Sequence, residues 1–96
     1  MRNALEIKDK TGRIIYLSEE RWKHIVKEHP DLYNKIEDIK ETILHPIIIK
    51  SSKYDVNARF HYKYFKPINK HLLVAVKYLN GKGFIFTSFY ITRIKK

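Results

Sequence analysis

The stretch Arg59-Phe60-His61-Tyr62-Lys63-Tyr64-Phe65-Lys66-Pro67 constrains this chain more than any other. Its aromatic content and the proline that ends it read as a β-strand. Strand side chains alternate between faces, so Arg59, His61, Lys63 and Phe65 share one face and Phe60, Tyr62 and Tyr64 the other. Any fold that contains this strand must carry three cationic or titratable groups in a row, about 7 Å apart at two-residue steps. Unpaired charge is costly to bury. The row therefore belongs either on a solvated outer face of a sheet or on a ligand-facing one. There it would grip phosphates and, in a catalytic setting, stabilise a charged phosphoryl transition state.

The remainder of the chain supplies what such a strand needs around it. Leu5–Lys8 and Arg13–Leu17 flank Asp9-Lys10-Thr11-Gly12 as a short hairpin. Ser18 caps a helix running to about His29, with Leu17 and Trp22 spaced as a hydrophobic staple, and Pro30 stops it. A second helix is expected over Leu32–Leu44, with Leu32, Ile36, Ile39, Ile43 and Leu44 as its buried stripe. Then follow a short strand at Ile47–Lys50, a polar loop over Ser51–Asn57 and the basic strand. Two further strands, from His71 to Leu79 and from Phe84 to about Thr92, are joined by the turn Asn80-Gly81-Lys82-Gly83, and the tail Arg93–Lys96 is basic. The order predicts a single α+β domain over residues 1–96: an N-terminal hairpin, and two helices packed on a four-stranded antiparallel sheet.

Charge and composition narrow the partner class. The chain has 96 residues and a formal net charge of +10, a strong field for its size that favours polyanions. Tyrosines and phenylalanines interleaved with lysines favour nucleic acid, because aromatic faces stack on unpaired bases. Abundant Ile, Lys and Glu, with no Gln and one Met, give a thermophile-like usage, yet 20 basic against 10 acidic residues exceed what a charge-rich surface alone requires. With no cysteine there is neither disulfide nor thiolate metal site. No apolar run approaches the length of a membrane span, and no signal-peptide core is present at the N-terminus, so a cytoplasmic location is expected.

The candidate chemistry is acid–base and metal-free. His24 and His29 are five residues apart, about 140° around a helix, so they cannot share one ion. No cofactor is expected: glycine-rich phosphate loops and nucleophile elbows are both missing. His29 falls on the buried stripe at the last turn of its helix, where it either covers the core or serves as an acid or base. His24, on the outer side, forms an i,i+4 pair with Glu28. In the last strand Thr87 and Ser88 point to opposite faces, and Ser88 and Tyr90 share one. Which of these faces joins the basic row depends on hairpin register, since a slip of one residue reverses it.

Taken together, Leu17-Ser18-Glu19-Glu20-Arg21-Trp22-Lys23-His24-Ile25, Glu28-His29-Pro30-Asp31-Leu32, Glu41–Pro46, Tyr62-Lys63-Tyr64, Leu72–Lys77 and Phe86–Tyr90 resemble small nucleases carried by phages and prokaryotes. These belong to the barnase–EndoU–colicin–RelE ribonuclease superfamily. The resemblance spans nearly the whole chain, and the order of helices before strands agrees. It implies metal-independent RNA cleavage in a toxin-like or phage-conflict setting. The implied partners are RNA, either tRNA or mRNA, and an acidic antitoxin or immunity-type protein. Catalytic residues vary between families of the superfamily, so the site is read from this chain. His24 or His29 is the expected base or acid, Arg59 and Lys63 hold phosphate, and Thr87 and Tyr90 position the scissile group. His61, Tyr62, Tyr64 and Lys77 are expected to bind substrate. The competing reading is a non-catalytic RNA-binding or regulatory module of the same fold; a structural partner protein is disfavoured by the charge. An enzyme requires a histidine and a cation converging on one phosphate position, whereas a binder requires only a broad basic and aromatic surface.

Overall fold

A computed structural model describes residues 2–94; Lys95 and Lys96 of the expected basic tail lie outside the described residues. The order is β1 (Asn3–Lys8), β2 (Ile14–Ser18), α1 (Glu19–Glu28), a 3-10 turn (Pro30–Leu32), α2 (Ile36–Leu44), β3 (Ile48–Ser51), β4 (Ala58–Phe65), a second 3-10 turn (Lys66–Ile68), β5 (Lys70–Leu79) and β6 (Lys82–Ile91). Ser18 caps α1 as its position demands: its hydroxyl accepts from the Arg21 N–H at 3.1 Å. Leu17 is fully buried and Trp22 packs on the same core cluster, as the staple spacing predicts. The expected second helix begins four residues later than Leu32. Pro30 presets a tight turn, the fully buried Leu32 anchors it, and α2 starts only after Lys35.

The sheet is larger than expected and mixed. Its six strands run β1-β2-β6-β5-β4-β3, antiparallel throughout except for β2 against β6. The N-terminal hairpin is thus part of the sheet. Its strand β2 lies beside β6 over Ile14↔Lys82, Ile15↔Gly83 and Tyr16↔Phe84, satisfying backbone groups that β6 would otherwise leave unpaired. Gly83 makes the join possible. A Cβ there would stand 2.9 Å from Val76 Cγ1 and closer still to the Ile15 side chain.

Both helices cover one side of the sheet. Ile15, Leu17, Ile25, Leu32, Ile39, Ile43, Leu72, Val74 and Val76 form the main core there, each worth about 1.5–3 kcal/mol when fully buried. The other side carries a smaller cluster of Tyr62, Leu73 and Ala75, flanked by Phe60, Phe89, Ile91 and Ile94.

Register decides where the candidate residues lie. Arg59, His61 and Lys63 stand opposite Val76, Val74 and Leu72, so the basic row faces the helix side instead of forming a solvated outer face. Partial exposure of Arg59 and Lys63, together with carbonyl partners, makes this tolerable. The Lys63 ammonium donates to the His45 carbonyl just past α2 at 3.3 Å, and Arg59 Nη1 donates to the carbonyls of Val56 and Ala58 at 2.6 and 3.0 Å. A bulge in the β5–β6 pairing sets Ile85 against Val76 and Thr87 against Ala75, leaving Phe86 without a register partner. Ser88 and Tyr90 therefore share the side of the basic row, while Thr87 and Phe89 share that of Tyr62.

Candidate active site

A cleft of about 170 Å³ opens on the helix side of the sheet, between the β1–β2 turn and the end of α2. Asp9, Lys10, Thr11 and Arg13 form one wall, Ile43, Pro46 and Ile49 another, and Arg59, His61 and Tyr78 the floor. The turn wall is fixed by Asp9. Its Oδ1 accepts from the Thr11 N–H at 2.9 Å, the Thr11 hydroxyl at 2.6 Å and the Arg13 N–H at 3.1 Å, while Gly12 takes up the left-handed conformation at φ 88°. Asp9 Oδ2 remains for Tyr78, whose hydroxyl donates to it at 3.2 Å. On its other side that hydroxyl lies 3.4 Å from His61 Nε2. The Arg13 guanidinium sits 4.8 Å from the centre of the Tyr78 ring.

The electrostatics follow from this packing. His61 is 2% exposed, and burial holds its imidazole below the usual histidine value, despite backbone contact and the Asp9 charge acting the other way. It is neutral at pH 7. Burial, the Asp9 charge and the hydrogen bond to Asp9 push the Tyr78 phenol up to about 12, so it keeps its proton; Arg13 and Arg59 act weakly against this. Burial would raise the Asp9 carboxyl, but the hydrogen bonds from Thr11, Arg13 and Tyr78 outweigh it and hold the group below its ordinary value. The cleft thus joins a neutral imidazole, a protonated phenol, a carboxylate and the two arginines.

The residues expected to form one site are divided by the sheet. Arg59, His61, Lys63 and Tyr90 are on the helix side; Thr87, Tyr62, Tyr64 and Lys77 are on the other. Thr87 therefore cannot meet Arg59 and Lys63 at one phosphate. Tyr90 is on the side of Arg59 but is not among the cleft residues. Burial and the carboxylates of Asp38 and Asp31 push its phenol up to about 12. Lys77 forms an ion pair with Asp55 at 2.8 Å, and Tyr64 bonds through its hydroxyl to Asn69. His24 is exposed on α1, 3.6 Å from Glu28. His29 stacks on Phe89 with ring centroids 5.4 Å apart, extending the Phe89–Leu73–Tyr62 row on the side away from the cleft. Of the five histidines, the one in the cleft is His61. Ser88, buried on the helix side, donates its hydroxyl to the Leu73 carbonyl at 2.7 Å and so satisfies backbone.

Asp9, Arg13 and Tyr78 were not among the candidate residues. Asp9-Lys10-Thr11-Gly12 was legible as a turn, but its approach to Tyr78, 69 residues away in sequence, depends on the β2–β6 pairing. Among the described residues, no helix is long and apolar enough to cross a membrane. Compared with known proteins, the sequence matches no protein-family model and no curated protein.

Proposed function

We propose that this chain is a small metal-independent endoribonuclease whose chemistry takes place in the His61–Tyr78 cleft. The observation that carries this reading is the hydroxyl of Tyr78 held between His61 Nε2 at 3.4 Å and Asp9 Oδ2 at 3.2 Å, with Arg13 and Arg59 lining the same cleft. In the tautomer with Nε2 unprotonated, the Tyr78 O–H turns from Asp9 Oδ2 to His61 Nε2, passes its proton there and takes one from a ribose 2′-OH. The 2′-oxygen attacks the adjacent phosphorus and the bond to the 5′-oxygen breaks. The proton on His61 then returns through Tyr78 to the leaving 5′-oxygen, leaving a 2′,3′-cyclic phosphate. Asp9 fixes the phenol and stabilises the imidazolium while it lasts. Arg13 and Arg59 face the charge that develops on the phosphoryl oxygens. Arg59 engages carbonyls through Nη1, which holds its plane and leaves N–H groups on its other nitrogens. RNA as substrate, an acidic inhibitor protein as partner and a cytoplasmic location belong to the same reading, and the +10 charge supports the two anionic partners.

The burial of His61 and the use of Asp9 in its own turn favour a second reading, in which the Asp9–Tyr78–His61 chain ties the hairpin to the sheet of a non-catalytic RNA-binding module. Incubation of purified protein with total RNA in EDTA separates the two. The nuclease reading requires discrete fragments that His61→Gln abolishes; intact RNA, bound but uncut, supports the module.

A further inference from the structure

A second concavity lies where β2 and β6 part company. The two strands run in parallel as far as Tyr16↔Phe84. Past that point β2 turns into α1 at Ser18, and β6 continues alongside β5. The gap is a groove of about 520 Å³. Its floor is aromatic: Tyr16 and Phe84 stack with ring centroids 5.7 Å apart and planes 24° from parallel. Phe84 and Phe86 are 42% and 38% exposed, large for rings standing side by side in a sheet. The β6 bulge leaves Phe86 unpaired in register and turned into this groove. The charged residues lining it, Arg21 and Lys82, are both cationic, and the Lys82 ammonium lies 6.0 Å from the centre of the Tyr16 ring. Asn3 and Ser18 add polar groups at the rim.

From this geometry we infer that the Tyr16–Phe84–Phe86 groove is a binding subsite for an unpaired nucleotide of single-stranded RNA, its base stacked on the exposed Phe84 and Phe86 rings, with Tyr16 backing Phe84, and its phosphate met by Arg21 and Lys82. Exposed rings offer a π-face to any base, and adjoining cations track the backbone. An apolar peptide would use the rings but not the two cations; duplex RNA would use the cations but keeps its bases stacked on one another. The alternation of β2 and β6 turns Tyr16 and Phe84 away from the side that carries Ile15, His61 and Tyr78, so the groove is separate from the cleft. The inference rests on the RNA reading but not on cleavage.

The test is fluorescence anisotropy with a short labelled single-stranded 2′-O-methyl oligonucleotide, which cannot be cut by 2′-OH attack, and with a duplex of the same length. Phe84→Leu keeps apolar bulk, and Phe86→Leu alters a ring that no register partner depends on; melting temperatures are recorded for both. Loss of one stacked base is worth about 1–3 kcal/mol, so each variant is expected to bind the single strand about 5- to 100-fold more weakly. Duplex affinity should stay within about twofold, and Lys82→Gln should lower the salt dependence of single-strand binding. Folded variants with unchanged single-strand affinity would overturn the subsite. So would equal losses on the duplex, or the same Phe84 dependence for poly-glutamate. His61→Gln is measured in parallel: single-strand binding that keeps its Phe84 dependence while cleavage is unaffected by the His61 change leaves this inference standing and removes the proposed catalytic role.

Discussion

The hydroxyl of Tyr78 donates to Asp9 at 3.2 Å across 69 residues of sequence and fastens the N-terminal hairpin to the centre of the sheet. Tyr78→Phe keeps the ring under Arg13 and removes only this bond and the contact with His61. A hydrogen bond to a charged group is worth about 1.5–3 kcal/mol. Because Asp9 is only partly buried, the lower part of that range is expected as the loss in a denaturant melt. RNA cleavage should fall by about 10²-fold or more if the phenol relays the proton. Loss of stability with unchanged cleavage would assign Tyr78 a purely structural role.

Gly83→Ala tests the join between hairpin and sheet. The added methyl meets Ile15, Val76 at 2.9 Å and Tyr78 at 3.2 Å, so a cost of about 1–3 kcal/mol is expected from overpacking. Because Tyr78 is one of the atoms displaced, cleavage should drop by more than the loss of folded protein accounts for. Thermal unfolding and initial rates on the same preparation check this.

His61 sets a pH dependence with a defined sign. Its folded value lies below the ordinary 6.5 because burial disfavours the charged ring, so the unfolded chain binds more protons between the two values. Stability should therefore fall as pH drops below about 6.5 and level off below the folded value. His61→Gln should flatten that window. Asp9 acts lower: its depressed carboxyl contributes stability that is present above its ordinary 3.8 and lost as pH falls through the folded value. Equilibrium denaturation from pH 3 to 8 resolves the two windows, and an unchanged slope near pH 6 in His61→Gln would contradict the burial argument.

Ser88→Ala should separate packing from chemistry. The hydroxyl is fully buried and satisfies the Leu73 carbonyl at 2.7 Å, so its removal should cost about 1–3 kcal/mol and leave RNA affinity and cleavage per folded molecule unchanged. A selective loss of activity would place Ser88 in the site.

Much of the architecture was readable from local pattern. Ser18, the Leu17–Trp22 spacing and Pro30 fixed the ends of α1, and the alternation in β4 correctly grouped Arg59 with His61 and Lys63. What local pattern does not encode is the pairing partner of an edge. The β2–β6 contact spans only three residue pairs and hinges on Gly83, whose role depends on the distant Ile15 and Val76. The β6 bulge likewise decides that Thr87 and Arg59 lie on opposite sides of the sheet. The basic row, expected on a solvated or a ligand-facing side, faces the helix layer: Arg59 and His61 line the cleft there, and carbonyls at His45, Val56 and Ala58 hold Lys63 and Arg59. His24 and His29 stand out as acid–base candidates because a helix makes their positions easy to read, whereas His61, expected in the aromatic strand as a substrate-binding residue, acquires Tyr78 and Asp9 as neighbours only through folding.

The most direct test is single-turnover cleavage of an RNA oligonucleotide in EDTA by wild type, His61→Gln and the His24→Ala/His29→Ala double variant, with the product ends identified and melting temperatures recorded alongside. A cleft centred on His61 requires wild-type product ending in a 2′,3′-cyclic phosphate, a loss of about 10²–10⁴-fold in His61→Gln and near-wild-type cleavage by the double variant. Cleavage that survives His61→Gln, but is lost in a folded His24→Ala/His29→Ala protein, would contradict it and move the chemistry to the α1 histidines.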